Sequence, residues 1–174
     1  MWQSKDLSTL SSQERWQEVT HQLEHLVSTE EPLITGLSNA AALLYHSIGE
    51  INWAGFYLFD GEKLVLGPFG GLPACTQIRL GKGVCGTAAE QKEVIVVPDV
   101  DQFPGHIACD SASRSEIVLP LLVNGELFGV LDIDSPNLDR FSDQDKQALG
   151  AISDLLVQKI RAIKAHTPAI SSVV

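Results

Sequence analysis

The chain has 174 residues, 44% of them hydrophobic, and carries 12 Lys and Arg against 22 Asp and Glu, a formal net charge of -10. That length suits one domain with a substantial core, and the acidic balance argues against a nucleic-acid binder, which needs clustered Lys and Arg on phosphate. No apolar run approaches the ~20 residues of a membrane span, and Met1 to Lys5 holds no apolar leader core, so the expectation is a cytoplasmic protein, away from membranes, whose thiols stay reduced.

Ser11-Ser12-Gln13-Glu14 has the form of a capping box, with Ser11 as N-cap and Glu14 three positions on. Trp16, Val19, Leu23 and Leu26 follow at helical spacing, which predicts a helix over about 12–28. Pro32 suits the first turn of a second helix, where its missing donor is not needed. Leu33, Leu37, Ala41, Leu44 and Ile48 form the buried stripe of that helix, and Gly49 ends it. His21, His25 and His46 fall on these helices and are given no catalytic role. Residues 51–59 are aromatic-rich and read as a strand. Asp60-Gly61 turns the chain into a second strand over 63–69. A flexible loop over 70–74, a short extended piece over 76–80 and a brief helix over 84–91 come next. Residues 94–97 read as a buried strand, stopped by Pro98. Residues 99–113 form a long polar loop, a length that in compact domains usually marks function or disorder. Two strands, 114–123 and 126–134, are joined by Asn124-Gly125, a strong hairpin signal. Ser142 caps a last helix whose stripe (Leu149, Ile152, Leu155, Leu156, Ile160, Ile163) runs to about 165, and the tail 166–174 is expected to fray. Consecutive hairpins imply an antiparallel sheet. The whole reads as a single α+β domain over 1–174, with a core of about 12–165. Its terminal helices pack on one sheet face, and loops cover a pocket on the other.

The chemistry-bearing residues concentrate between Gly70 and Asp134. All three cysteines lie there, Cys75, Cys85 and Cys109, and an odd count in a reducing compartment is not a disulfide framework. Glu116 opens an apolar run, and Asp132 and Asp134 sit inside another. Residues two apart in a strand share a face, so the two aspartates point the same way, a poor choice for a core and a good one for a polar pocket. Carboxylates that share a pocket raise one another's pKa; one can stay protonated as an acid while others bind an ammonium group, and the sequence does not say which. Cys109 lies in the polar loop with His106 and Arg114 on either side, both able to favour thiolate. Cys75 follows Gly70-Gly71-Leu72-Pro73, a segment able to swing. Cys85 begins a short helix, whose N-terminus also favours thiolate. A lone cysteine is more often an inert core filler, but three in polar or glycine-flanked segments point to reaction. Trp53 in a strand is more often core than pocket, although a methyl thioether packs well on an indole. No Cys-x-x-Cys pair, Walker motif or dinucleotide glycine motif occurs, so neither a metal nor a cofactor is expected.

The motifs Asn52-Trp53-Ala54-Gly55-Phe56-Tyr57, Gly81-Lys82-Gly83-Val84-Cys85-Gly86, Ala108-Cys109-Asp110, Ser113-Arg114-Ser115-Glu116 and Leu131-Asp132-Ile133-Asp134-Ser135, with cysteines ten and twenty-four residues apart, resemble those of the free methionine-R-sulfoxide reductases, single-domain enzymes of GAF fold. The resemblance covers roughly residues 50–136. It implies reduction of free L-methionine-R-sulfoxide, with Cys109 as the catalytic cysteine and Cys75 and Cys85 as the other family cysteines, which can supply resolving thiols. It further implies Trp53, Glu116, Asp132 and Asp134 as substrate-binding residues, recycling by thioredoxin, and a possible homodimer. The alternative is a non-catalytic GAF sensor of a small ligand. The chain lacks the Asn-Lys, Phe and Asp-Glu pattern of cyclic-nucleotide GAF domains, and an attached output domain is not expected.

Overall fold

A computed structural model describes Leu7, residues 9–107 and residues 110–166, with the side chain of His166 excepted. Helix α1 (Ser12–Leu26) starts on the expected capping box. The Ser11 hydroxyl accepts from the Glu14 amide at 3.3 Å, and the Glu14 carboxylate accepts from the Ser11 amide at 3.0 Å. Helix α2 (Leu33–Ser47) follows, with Pro32 one place earlier than expected, as N-cap. The turn after it falls on Glu50, whose φ of 61° is left-handed, and not on Gly49. Strands β1 (Trp53–Phe59) and β2 (Lys63–Gly71) form the first hairpin. Gly70 and Gly71, expected as loop, pair with Ala54 and Trp53 and prolong β2. Backbone pairing needs no side chain there, and a Cβ on Gly70 would press on Tyr45 at 2.8 Å.

Strand β3 (Gln77–Arg79), helix α3 (Gly83–Gln91), strand β4 (Ile95–Val97) and a single 3-10 turn at Val100–Gln102 lead into the long loop. Strands β5 (Ser115–Val123) and β6 (Glu126–Ser135) form the second hairpin, with Asn124 and Gly125 both at positive φ (54° and 82°), as a tight hairpin of this hand requires. Helix α4 (Asp143–His166) starts where the Ser142 hydroxyl accepts from the Asp145 amide at 3.2 Å. No helix of the described residues is long and apolar enough to cross a membrane.

The six strands form one antiparallel sheet in the order β3-β2-β1-β6-β5-β4. Strand alternation divides the apolar residues between two cores. Ala54, Phe56 and Leu58 of β1, Ile117, Leu119 and Leu121 of β5, and Leu131 and Ile133 of β6 face α1, α2 and α4. The opposite set, Trp53, Tyr57, Val118 and Val130, meets α3, Ile78 and Val100. The terminal helices thus cover one face, as expected. The far ends of α1, α2 and α4 are tied by Arg140. Its Nε and Nη2 donate to the Gly49 carbonyl at 3.1 and 3.0 Å, and its Nη1 donates to Asp145 at 3.1 Å. Asp145 in turn accepts from Trp16 Nε1 at 3.2 Å.

Candidate active site

The second sheet face carries the carboxylates. Glu116 of β5 stands opposite Asp134 of β6, and Asp132 lies two residues along, opposite Gly55 of β1 and Val118 of β5. All three therefore project from one face, as alternation predicts for the aspartates. They line a small cleft together with Tyr57, Ile78, Lys82, Gly83, Val84, Cys85, His106, Ile107, Asp110 and Ser113. Helix α3 forms one wall. Gly83 at its start adopts φ +60°, and Gly86 lets the helix settle against the Arg79 carbonyl, which a Cβ would strike.

Burial dominates the electrostatics. Glu116 and Asp132 are each 6% exposed. Burial, then the charges of Asp132 and Asp134, holds the Glu116 carboxyl well above its ordinary range. Burial raises Asp132 to about 6, with hydrogen bonds to Cys85 and Glu116 holding it back. Asp134 is also pushed well up, by burial and then by Asp132 and Asp110. Asp132 Oδ1 finds no hydrogen-bond partner among the described residues. A buried, unsatisfied, acidic group is costly in an empty fold and is complementary to a cation with N–H donors.

Cys85 is buried in the first turn of α3, and its Sγ stands 3.8 Å from Glu116 Oε1. The helix start was expected to favour thiolate. Burial and the neighbouring carboxylates prevail instead and push the thiol well above its ordinary value. Burial likewise lowers His106 below the usual imidazole range, so this ring carries little positive charge at neutral pH. Its Nε2 lies 4.0 Å from Glu116 Oε2. Arg114 is exposed, and its backbone amide donates to the Ser135 carbonyl at 2.7 Å. Cys75 is half-buried beside the cleft-side core and is disulfide-bonded, whereas Cys85 is free. Cys109 lies outside the described residues, as does the tail beyond His166; the chain neighbours Ile107 and Asp110 both line the cleft.

Trp53 is not among the described residues lining the cleft. Its ring stacks 5.8 Å from Tyr57 and 5.3 Å from Phe69, and its Nε1 donates to the Leu72 carbonyl at 3.2 Å. Tyr57 is the aromatic ring that reaches the cleft. Sequence reasoning gave it no role, although its position opposite Val130 on the Asp132 face follows from the same alternation. Asn52 was also missed. Its Nδ2 donates to Asp110 Oδ2 at 2.9 Å and to Ser113 Oγ at 3.0 Å, fastening the loop that follows Cys109 to the edge of β1. No periodicity signals such a bond, because its partners lie 58 and 61 residues away.

The sequence profile of the GAF domain family matches residues 11–160. Protein YtsP of Bacillus subtilis is 52% identical over 143 residues, 81% of this chain and 88% of its own length. The free methionine-R-sulfoxide reductase of Escherichia coli is 48% identical over 140 residues, 80% of this chain and 85% of its own. Among solved structures, free methionine-R-sulfoxide reductase from Neisseria meningitidis, in complex with its substrate, superimposes with a TM-score of 0.83 at 40% identity, covering 95% of this chain and 97% of that one. The chain belongs to the GAF domain family and, within it, to the free methionine-R-sulfoxide reductases.

Proposed function

We propose that the protein reduces free L-methionine-R-sulfoxide to L-methionine in the cleft, through a cysteine sulfenic acid and a disulfide, with thioredoxin as the reductant in the cytoplasm. The observation that carries the reading is the set of two buried carboxylates, Glu116 and Asp132, and the half-buried Asp134 around a small cleft, with unpartnered Asp132 Oδ1 turned to no protein donor. Asp132 and Asp134 hold the substrate ammonium, whose charge restores their ionisation. Glu116, held well above its ordinary range by burial and then by its neighbours, keeps its proton and delivers it to the sulfoxide oxygen. Tyr57, held in place by Trp53, walls the methyl thioether side.

The Cys109 thiolate attacks the sulfoxide sulfur. The oxygen passes to Cys109 as sulfenic acid and the thioether leaves, so sulfur of the substrate is reduced as the cysteine is oxidised. The Cys75 thiol then condenses with the sulfenic acid, forming a disulfide and releasing water. A thioredoxin dithiol reduces that disulfide by exchange and is itself oxidised. The disulfide state of Cys75 and the free, proton-retaining state of Cys85 support Cys75 as the resolving thiol.

A cleft this small should take the amino acid and refuse a chain on either side of it. Assays with the free R epimer, the free S epimer and a peptide-bound sulfoxide are expected to show turnover of the free R epimer only. Equal turnover of the peptide would overturn the proposal.

A further inference from the structure

The proposed cycle leaves the Cys85 thiol idle, yet it stands in an arrangement of its own. Cys85 Sγ, a Glu116 oxygen and an Asp132 oxygen all lie within 4.8 Å of one another, and all three residues are buried. His106 Nε2 is 4.0 Å from the other Glu116 oxygen. Asp132, 6% exposed and lining the cleft, has Oδ1 without a partner among the described residues. A thiol and two carboxylates are donor types that zinc takes, and three protein ligands with one open position is a known zinc arrangement. Zinc bonds of ~2.3 Å to sulfur and ~2.0–2.2 Å to oxygen place two donors of one ion about 3.3–4 Å apart, so this cluster needs to close by no more than about 1.5 Å.

We infer that this corner of the cleft is a zinc site, in which Zn²⁺ binds Cys85 Sγ and one oxygen each of Glu116 and Asp132, keeps its fourth position for water, and excludes the substrate ammonium. The metal–ligand bonds form as the thiol and the Glu116 carboxyl each give a proton to solvent, with no change of oxidation state. The soft sulfur selects zinc or cobalt over Mg²⁺ and Ca²⁺, which prefer sites made wholly of oxygen. The walls that dehydrate the carboxylates keep the metal from being fully hydrated, so a divalent ion competes well with a singly charged ammonium. The metal site stands on the donor set alone; its competition with substrate rests on the proposed function.

The test uses the oxidised protein, in which Cys75 is tied up in its disulfide. Cobalt titration should develop a thiolate-to-cobalt charge-transfer band that saturates at about one equivalent per chain. Zinc should bleach that band, and Mg²⁺ should leave it. Cys85→Ser should abolish the band, and Asp132→Asn should weaken metal binding about tenfold or more, in line with losses on altering a metal site. Absence of the band, or zinc binding unchanged in Cys85→Ser, would overturn the site. Metal bound through Cys85 that free L-methionine-R-sulfoxide fails to displace would keep the metal site and overturn the reading of this corner as the ammonium site.

Discussion

Glu116, Asp132 and Asp134 share a space that admits little solvent, so each proton gained by one is a proton denied to another. Their folded pKa values are raised, which means that the fold binds protons that the unfolded chain releases. The sign follows: this contribution is fully present below the ordinary carboxylate range and is lost as pH rises through the folded values. For Asp132 the window runs from 3.8 to about 6. Asp132→Asn has no such proton to lose. Denaturant melts should find it level with wild type near the bottom of that window and about 1–3 kcal/mol more stable above it. Its kcat/KM should nevertheless fall by about a hundredfold or more, as should those of Asp134→Asn and Glu116→Gln, because binding or proton delivery is gone. Full activity in all three would make this face an ordinary one. The thiols separate in the same way. Cys109→Ser should abolish a single turnover. Cys75→Ser should release one methionine per chain and then stall under thioredoxin, which rapid-quench counting of product would reveal.

Among the elements, the sheet and the helices do different work. Strands β1, β5 and β6 set the site by register alone, since Glu116, Asp134 and Trp53 lie in one row across them. Helix α3 closes it, and two glycines permit the approach. The helix layer is fastened at a distance from the chemistry by Arg140, which bridges Gly49 after α2 and Asp145 in α4. Arg140→Met keeps the aliphatic stem and removes the bonds. It leaves the buried Asp145 with fewer donors and is expected to cost about 2–4 kcal/mol. Thermal melts should show this loss, while kcat/KM well below the melting temperature should stay near that of wild type. A variant as stable as wild type would show that the tie is redundant.

At the scale of the molecule, the central sheet divides a large core under the helices from a smaller one that includes the cleft wall. The smaller core houses polar groups held in unfavourable protonation states, so ligand is expected to stabilise the whole fold. At a hundred times its dissociation constant a ligand contributes about 2.7 kcal/mol, which for a domain of this size raises Tm by roughly 5–10 °C. Free L-methionine-R-sulfoxide should produce that shift in the oxidised protein and should lose most of it in Asp134→Asn. An equal shift in the variant would place binding elsewhere.

The sequence by itself determined the elements and one face of the site. The capping box at Ser11, the Asn124-Gly125 turn and the alternation through Leu131-Asp132-Ile133-Asp134 are local patterns, and local backbone geometry turns each into structure without help from distant residues. Tertiary structure decided what depends on a neighbour. Gly70 and Gly71 have no side-chain pattern and became strand because β1 offered partners. Trp53 lies behind Tyr57 because Phe69 and Tyr57 hold its ring. The helix start at Cys85 would have lowered its thiol, but desolvation and three carboxylates contributed by β5 and β6 raised it. Protonation is a property of the enclosure, and only the packed sheet, α3 and loop together make that enclosure.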